Sequence, residues 1–188
     1  GEFLFTISQN KFSVTGIEPD QKARDFSISK YNLQVFDESF LDKLEPQSFD
    51  VITMWHVLEH VYDLSARIKQ LSKLLKKDGI LIVAVPNSAS YDAKKYGEYW
   101  AAYDLPRHIY HFTKKNIWHL FKNHKFEVSK IVPMKFDSYY ISMLSEKYKA
   151  GSNNYIKAFL VGMISNILAR FTKSNYSSLT YVIKKEIS

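Results

Sequence analysis

Apolar and polar positions follow two periods along this chain, and the switches between them mark out its elements. Phe3, Leu4 and Ile7 lie on one helical stripe across 1–10. Residues 12–17 alternate as a short strand that ends at Glu18-Pro19-Asp20, and 21–31 return to a helical spacing through Ala23, Phe26 and Ile28. Residues 33–36 form the next strand. The run Phe49-Asp-Val-Ile-Thr-Met-Trp55 is apolar and β-branched, the pattern of a strand covered on both faces. Leu64, Ile68, Leu71 and Leu75 place a helix after it. A turn at Lys77-Asp78-Gly79 precedes a second fully apolar strand, Ile80–Val85, stopped by Pro86-Asn87. A helix over 113–124 has Thr113 as its cap. Strands over 126–134 and 179–185 enclose two helical stretches, 139–149 and 155–171.

Strands separated by helices of this length predict an α/β fold with a mostly parallel sheet and right-handed crossovers. In such sheets ligands sit beyond the carboxyl ends of the strands. That rule gathers Glu18, Asp37, Trp55-His56 and Pro86-Asn87 along one edge before any composition is considered.

The chain has 188 residues, 46% of them apolar, enough for one core, and the expectation is a single domain over 1–188. It contains no cysteine, which excludes disulfides, thiolate metal sites and a cysteine nucleophile and fits a reducing compartment. No charged-then-apolar leader opens it, so the expected location is cytoplasmic. Charge is uneven: residues 1–90 hold 10 basic and 12 acidic side chains, and residues 91–188 hold 16 and 7. A basic half suits nucleic acid, an anionic membrane or acidic substrates, or is simply a solvated face. Without an arginine-rich tract or a nucleic-acid fold signature, no nucleic-acid partner is expected.

A carboxylate at Glu18 suits two hydrogen bonds to a ribose diol, or is an ordinary loop acid. Gly1 stands where a glycine-rich turn would end. His56-Val-Leu-Glu59-His60 matches a zinc pattern with two imidazoles on one helical face, but no third ligand is apparent and no metal is expected. The densest polar and aromatic cluster is Tyr103-Asp-Leu-Pro-Arg-His-Ile-Tyr-His-Phe112. There Arg107 suits an acidic substrate group, and His108 or His111 suits proton transfer near neutral pH. The structural alternative pairs Arg107 with Asp104 and uses the histidines as caps.

Four stretches carry a resemblance: Val14–Asp20, Ser48–His60, Leu74–Asn87 and Asp104–Phe112. In this order and spacing the chain resembles a class I S-adenosylmethionine-dependent methyltransferase, nearest the ubiquinone-biosynthesis-like branch. The resemblance covers roughly 1–135 and implies a Rossmann-like fold with helices on both faces, an antiparallel last strand, and a helical insertion or lid over 137–175 before it. It implies S-adenosylmethionine as cofactor and a cofactor site of Gly1, Glu18, Pro19, Asp37, Glu38, Ser39, Trp55 and His56. His108, His111 and Arg107 are the catalytic candidates. The implied reaction is O- or C-directed methyl transfer to a small-molecule or lipid-like acceptor. Against the family pattern, the first strand and most of the glycine-rich loop are expected before Gly1, so a weakened fragment or a non-catalytic binding module is the alternative. A nicotinamide-dependent dehydrogenase also places an acid after its second strand. The apolar 155–171 helix packs on the core or on a second copy in a homodimer, or meets a membrane peripherally through nearby Lys147, Lys149, Lys157, Arg170 and Lys173.

Overall fold

The structure is a computed structural model that describes residues 1–151 and 154–186. Its strands fall into two sheets, one in each of two compact units, Gly1–Pro46 and Gln47–Ser188.

The first unit contains α1 (Glu2–Ser8), β1 (Gly16–Ile17), α2 (Gln21–Tyr31) and β2 (Val35–Phe36). Asp20 caps α2 by accepting the Ala23 amide at 2.8 Å, and Asn32 ends it in the left-handed conformation. β1 and β2 pair in parallel, Ile17 opposite Phe36. β1 is shorter than the alternation of 12–17 predicts, because its partner supplies only two residues; Phe12 is left 63% exposed.

The second unit runs β3 (Phe49–Trp55), α3 (Leu64–Leu74), β4 (Leu75–Pro86), α4 (Tyr91–Tyr96), α5 (Lys114–Lys122), β5 (Phe126–Met134), α6 (Asp137–Ala150), α7 (Tyr155–Phe171) and β6 (Ser178–Lys185). Its sheet order is β3-β4-β6-β5, and only β6 is antiparallel to its neighbours. The sheet is therefore mostly parallel with a reversed last strand, and helices flank it. Ile68 and Leu71 of α3 and Ile117 and Phe121 of α5 pack with Leu81 and Val83 of β4 and Tyr181 of β6 into the main core. Tyr96, Trp100, Ile141 and Val161 form a second core between α4, α6 and α7.

Three expectations change here. β3 is the edge strand of its sheet, and Val51 at 47% and Trp55 at 38% exposed show that it is not covered on both faces. In β4, burial alternates over Ile80–Val83, with Ile80 and Ile82 half-buried, and only Val83–Pro86 is continuously buried as expected for the whole strand. The turn expected at Lys77–Gly79 is a bulge inside β4, taken up between the Phe49–Leu75 and Val51–Ile80 pairs. Gly79 permits it, since a Cβ there would meet the Leu75 side chain at 2.7 Å and the Asp50 carbonyl at 3.1 Å.

Candidate functional site

The candidate residues fall into two groups, one in each unit. In the first, parallel pairing puts Glu18 and Asp37 directly after adjacent strand ends. The Glu18 amide donates to the Phe36 carbonyl at 2.9 Å, which continues the ladder and fixes its backbone. Its carboxylate is half-buried and accepts the Asp20 amide at 3.0 Å through Oε1. Asp37 accepts the Ser39 amide at 2.8 Å and the Ser39 hydroxyl at 2.5 Å. Those bonds hold its carboxyl below the usual carboxylate range. Pro19, Glu38 and Ser39 are exposed around this pair. The Phe36 and Phe40 rings stack at 3.8 Å beside it. Gly1 caps α1 and sits so close to α2 that a Cβ would meet the Ser27 hydroxyl at 2.8 Å.

The second group starts where β3 ends. His56 has φ +51°, so the chain turns sharply after Trp55. The short 3-10 turn Leu58–His60 follows, and α3 begins only at Leu64. His56 and His60 therefore do not share a helical face, and the paired-imidazole geometry that the zinc pattern requires is not formed. Instead His56 bridges two carboxylates, with Nδ1 3.3 Å from Glu59 Oε1 and Nε2 3.3 Å from Asp137 Oδ2. Burial alone lowers its pKa, but the two acids outweigh this and raise it to about 9. His56 is an imidazolium at neutral pH.

Glu59 is the hub. It is 1% exposed, and its Oε2 has no hydrogen-bond partner. An orphaned acceptor in a buried position calls for a donor. His108 Nε2 lies 4.0 Å from Glu59 Oε1 and 3.9 Å from Asp104 Oδ2. The His108 Nδ1–H donates to the Ala102 carbonyl at 2.8 Å, which leaves Nε2 as the lone-pair nitrogen of the neutral ring. His60 likewise donates through Nδ1 to the Arg107 carbonyl at 3.0 Å, and its ring meets the His108 ring edge-on. One ligand atom each from Glu59, His60 and His108 lies within 4.8 Å of the others, so this is the trio able to share a cation. The loop is tied to the turn by main-chain bonds from the Ile109 and Tyr110 amides to the Glu59 carbonyl.

The other candidates stand apart. Arg107 is exposed and pairs with Asp104 at 2.7 Å, as the structural alternative has it. His111 donates through Nε2 to the Tyr103 carbonyl at 3.0 Å and lines a separate cavity of about 320 Å³ with Leu64, Phe112 and His119. Sequence reasoning missed Asp137 altogether and named Glu59 only as part of the zinc pattern. The one signal for Asp137 was its position beside the 139–149 helix, which says nothing about a histidine far earlier in the chain.

The profile of a family described as a methyltransferase domain matches residues 1–131. A ubiquinone biosynthesis O-methyltransferase of Pelagibacter ubique (strain HTCC1062) is 37% identical over 83 residues, which is 40% of this chain and 33% of that protein. The chain thus matches about a third of that relative's length. Among solved structures, a SAM-dependent methyltransferase of Methanosarcina mazei has TM-score 0.64 at 15% identity, covering 97% of this chain and 86% of that one. Geranyl diphosphate C-methyltransferase of Streptomyces coelicolor A3(2), in complex with Mg²⁺, geranyl diphosphate and S-adenosyl-L-homocysteine, has TM-score 0.60 at 14% identity, covering 96% and 68%. These structures share the fold.

Proposed function

This chain belongs to the methyltransferase-domain family, and from that premise we propose that it binds S-adenosylmethionine and moves the methyl group to a small-molecule acceptor. The observation that carries the reading is the pair of carboxylates, Glu18 and Asp37, at adjacent carboxyl ends of parallel strands. Glu18 spends one oxygen on Asp20 and keeps acceptor capacity for a sugar diol. Asp37, held ionised by Ser39, and the stacked Phe36 and Phe40 rings suit the nucleoside beside it. Gly1, Pro19, Glu38 and Ser39 complete the wall on the same resemblance.

When bound, the cofactor supplies an electrophilic methyl on a sulfonium. The chain's work is to orient an acceptor and take its proton. Proximity and orientation supply much of the rate in such a transfer. For a hydroxyl acceptor, His108 Nε2 would take the proton that the oxygen loses as the methyl leaves the sulfonium, which becomes a neutral thioether. Glu59, beside that nitrogen, offsets the positive charge then carried by the ring. His56, already protonated, approaches the same Glu59 oxygen and serves as a fixed donor rather than a base. The partial match to a ubiquinone biosynthesis O-methyltransferase favours oxygen over carbon as the acceptor atom and a ring-bearing or lipid-like acceptor.

Tritiated S-adenosylmethionine incubated with the protein and a small-molecule cell extract tests this reading. Label should move into an extractable product, and His108→Gln should slow the transfer by about a hundredfold while cofactor affinity holds. No transfer, or an unaffected His108→Gln, contradicts it.

A further inference from the structure

The α7 helix leaves one face uncovered. Ala158, Val161, Gly162, Ser165 and Ala169 are buried against the rest of the unit. Ile156, Phe159, Leu160, Ile164, Ile167 and Phe171 are exposed, Ile156 at 77% and Phe171 at 81%. At 3.6 residues per turn these six share one side of the helix within an arc of roughly 140°. Exposed apolar stripes of this length on a solvated surface mark an interaction site.

Charge says which partner fits. From Lys147 to Lys185 the chain has no Asp or Glu, while it has Lys147, Lys149, Lys157, Arg170, Lys173, Lys184 and Lys185. Lys157 is committed to the buried carboxylate of Glu146 at 3.0 Å. Arg170 sits on the flank of the stripe and Lys173 just beyond its end. A groove of about 310 Å³ opens beside the stripe, lined by Phe136, Tyr139, Met163 and Ile167 with Lys135 and Arg170 at its polar rim. A second copy in a two-fold contact would set this cation-only segment against itself, and like charges repel. An anionic bilayer offers both complements at once, acyl chains for the stripe and phosphates for the cations. No helix among the described residues is long and apolar enough to cross a membrane, so α7 would lie in the interface plane.

We infer that the exposed face of α7, with Lys135, Arg170 and Lys173, docks on the surface of an anionic lipid bilayer, the groove between Phe136 and Ile167 receiving a phosphate-bearing lipid. This inference stands independently of the methyl-transfer reading, since it predicts vesicle binding whether or not the protein turns over.

The test is co-sedimentation of the full chain with vesicles of phosphatidylcholine alone and of phosphatidylcholine mixed with phosphatidylglycerol, at low and high salt. The protein should pellet with the anionic vesicles at low salt and be largely released by high salt. Ile156→Asp with Phe171→Asp should abolish pelleting. Arg170→Glu with Lys173→Glu should cut the bound fraction about tenfold. Both pairs change exposed side chains, and thermal unfolding checks that each variant is folded; should the apolar pair fail to fold, the charge pair alone decides. Light scattering without lipid reads the competing occupant. Absent pelleting on anionic vesicles, equal pelleting on neutral ones, undiminished binding by a folded variant, or a stable dimer that Ile156→Asp breaks would each overturn the inference.

Discussion

At His56 two carboxylates meet one imidazole, and the consequence is a pH dependence with a definite sign. The folded-state pKa is raised from the usual 6.5 to about 9, so the stabilisation is complete below 6.5 and is lost as pH climbs through 9. The ring is 37% exposed, so solvent screening reduces the effect to about 1 kcal/mol. Urea unfolding on either side of that window should show the loss in the parent and a flatter profile in His56→Gln. A parent whose stability is constant through the window would remove the bridge. Glu18, His56, Glu59 and His108 were all legible in the sequence as residues, because they cluster in short polar stretches that follow strands. Their partnerships were not. His56 meets Asp137 and His108 meets Glu59 only after the chain has folded over long separations, and no local period encodes such contacts. The i, i+4 spacing of His56 and His60 is not realised as a helical face, since the backbone leaves the strand in a left-handed conformation at His56 and makes a 3-10 turn.

Elements with strong local signals match the sequence closely. α2, β3, β5 and α7 have the residue bounds that their patterns predict, and α5 starts at the Thr113 cap, where Thr113 and Asn116 bond reciprocally. Thr113→Ala should lower stability by about 1 kcal/mol, measured by denaturant unfolding. The burial of β3 and β4 was not legible, since an apolar run is the same whether one face is covered or two. Also beyond reach was the tie between α4, α7 and the entry to β6. Asp92 is fully buried and accepts from the Trp100 indole at 2.8 Å, the Ser165 hydroxyl at 2.7 Å and the Ser177 hydroxyl at 2.6 Å. Removing that acceptor strands three buried donors. Asp92→Ala should cost about 3 kcal/mol, well above an exposed acid-to-Ala control such as Asp25→Ala. A loss no larger than the control would show the network to be incidental.

For the molecule as a whole, the sequence conveyed the class of architecture: strands and helices in alternation, a mostly parallel sheet and a last strand reversed. Its division into a two-stranded and a four-stranded sheet depends on which strands find hydrogen-bonded neighbours, and periodicity is silent on that. The charge asymmetry was legible and acquires a location in the acid-free stretch that includes α7 and β6. The functional account stands on the first unit's carboxylate pair as a nucleoside grip. Calorimetric titration of the full chain with S-adenosylmethionine tests this most directly, with Glu18→Gln in parallel. The account predicts saturable binding by the parent and an affinity about tenfold to a hundredfold lower in a folded Glu18→Gln, the worth of charge-assisted bonds to a diol. Absence of binding by the parent, or equal affinity in the variant, would contradict it.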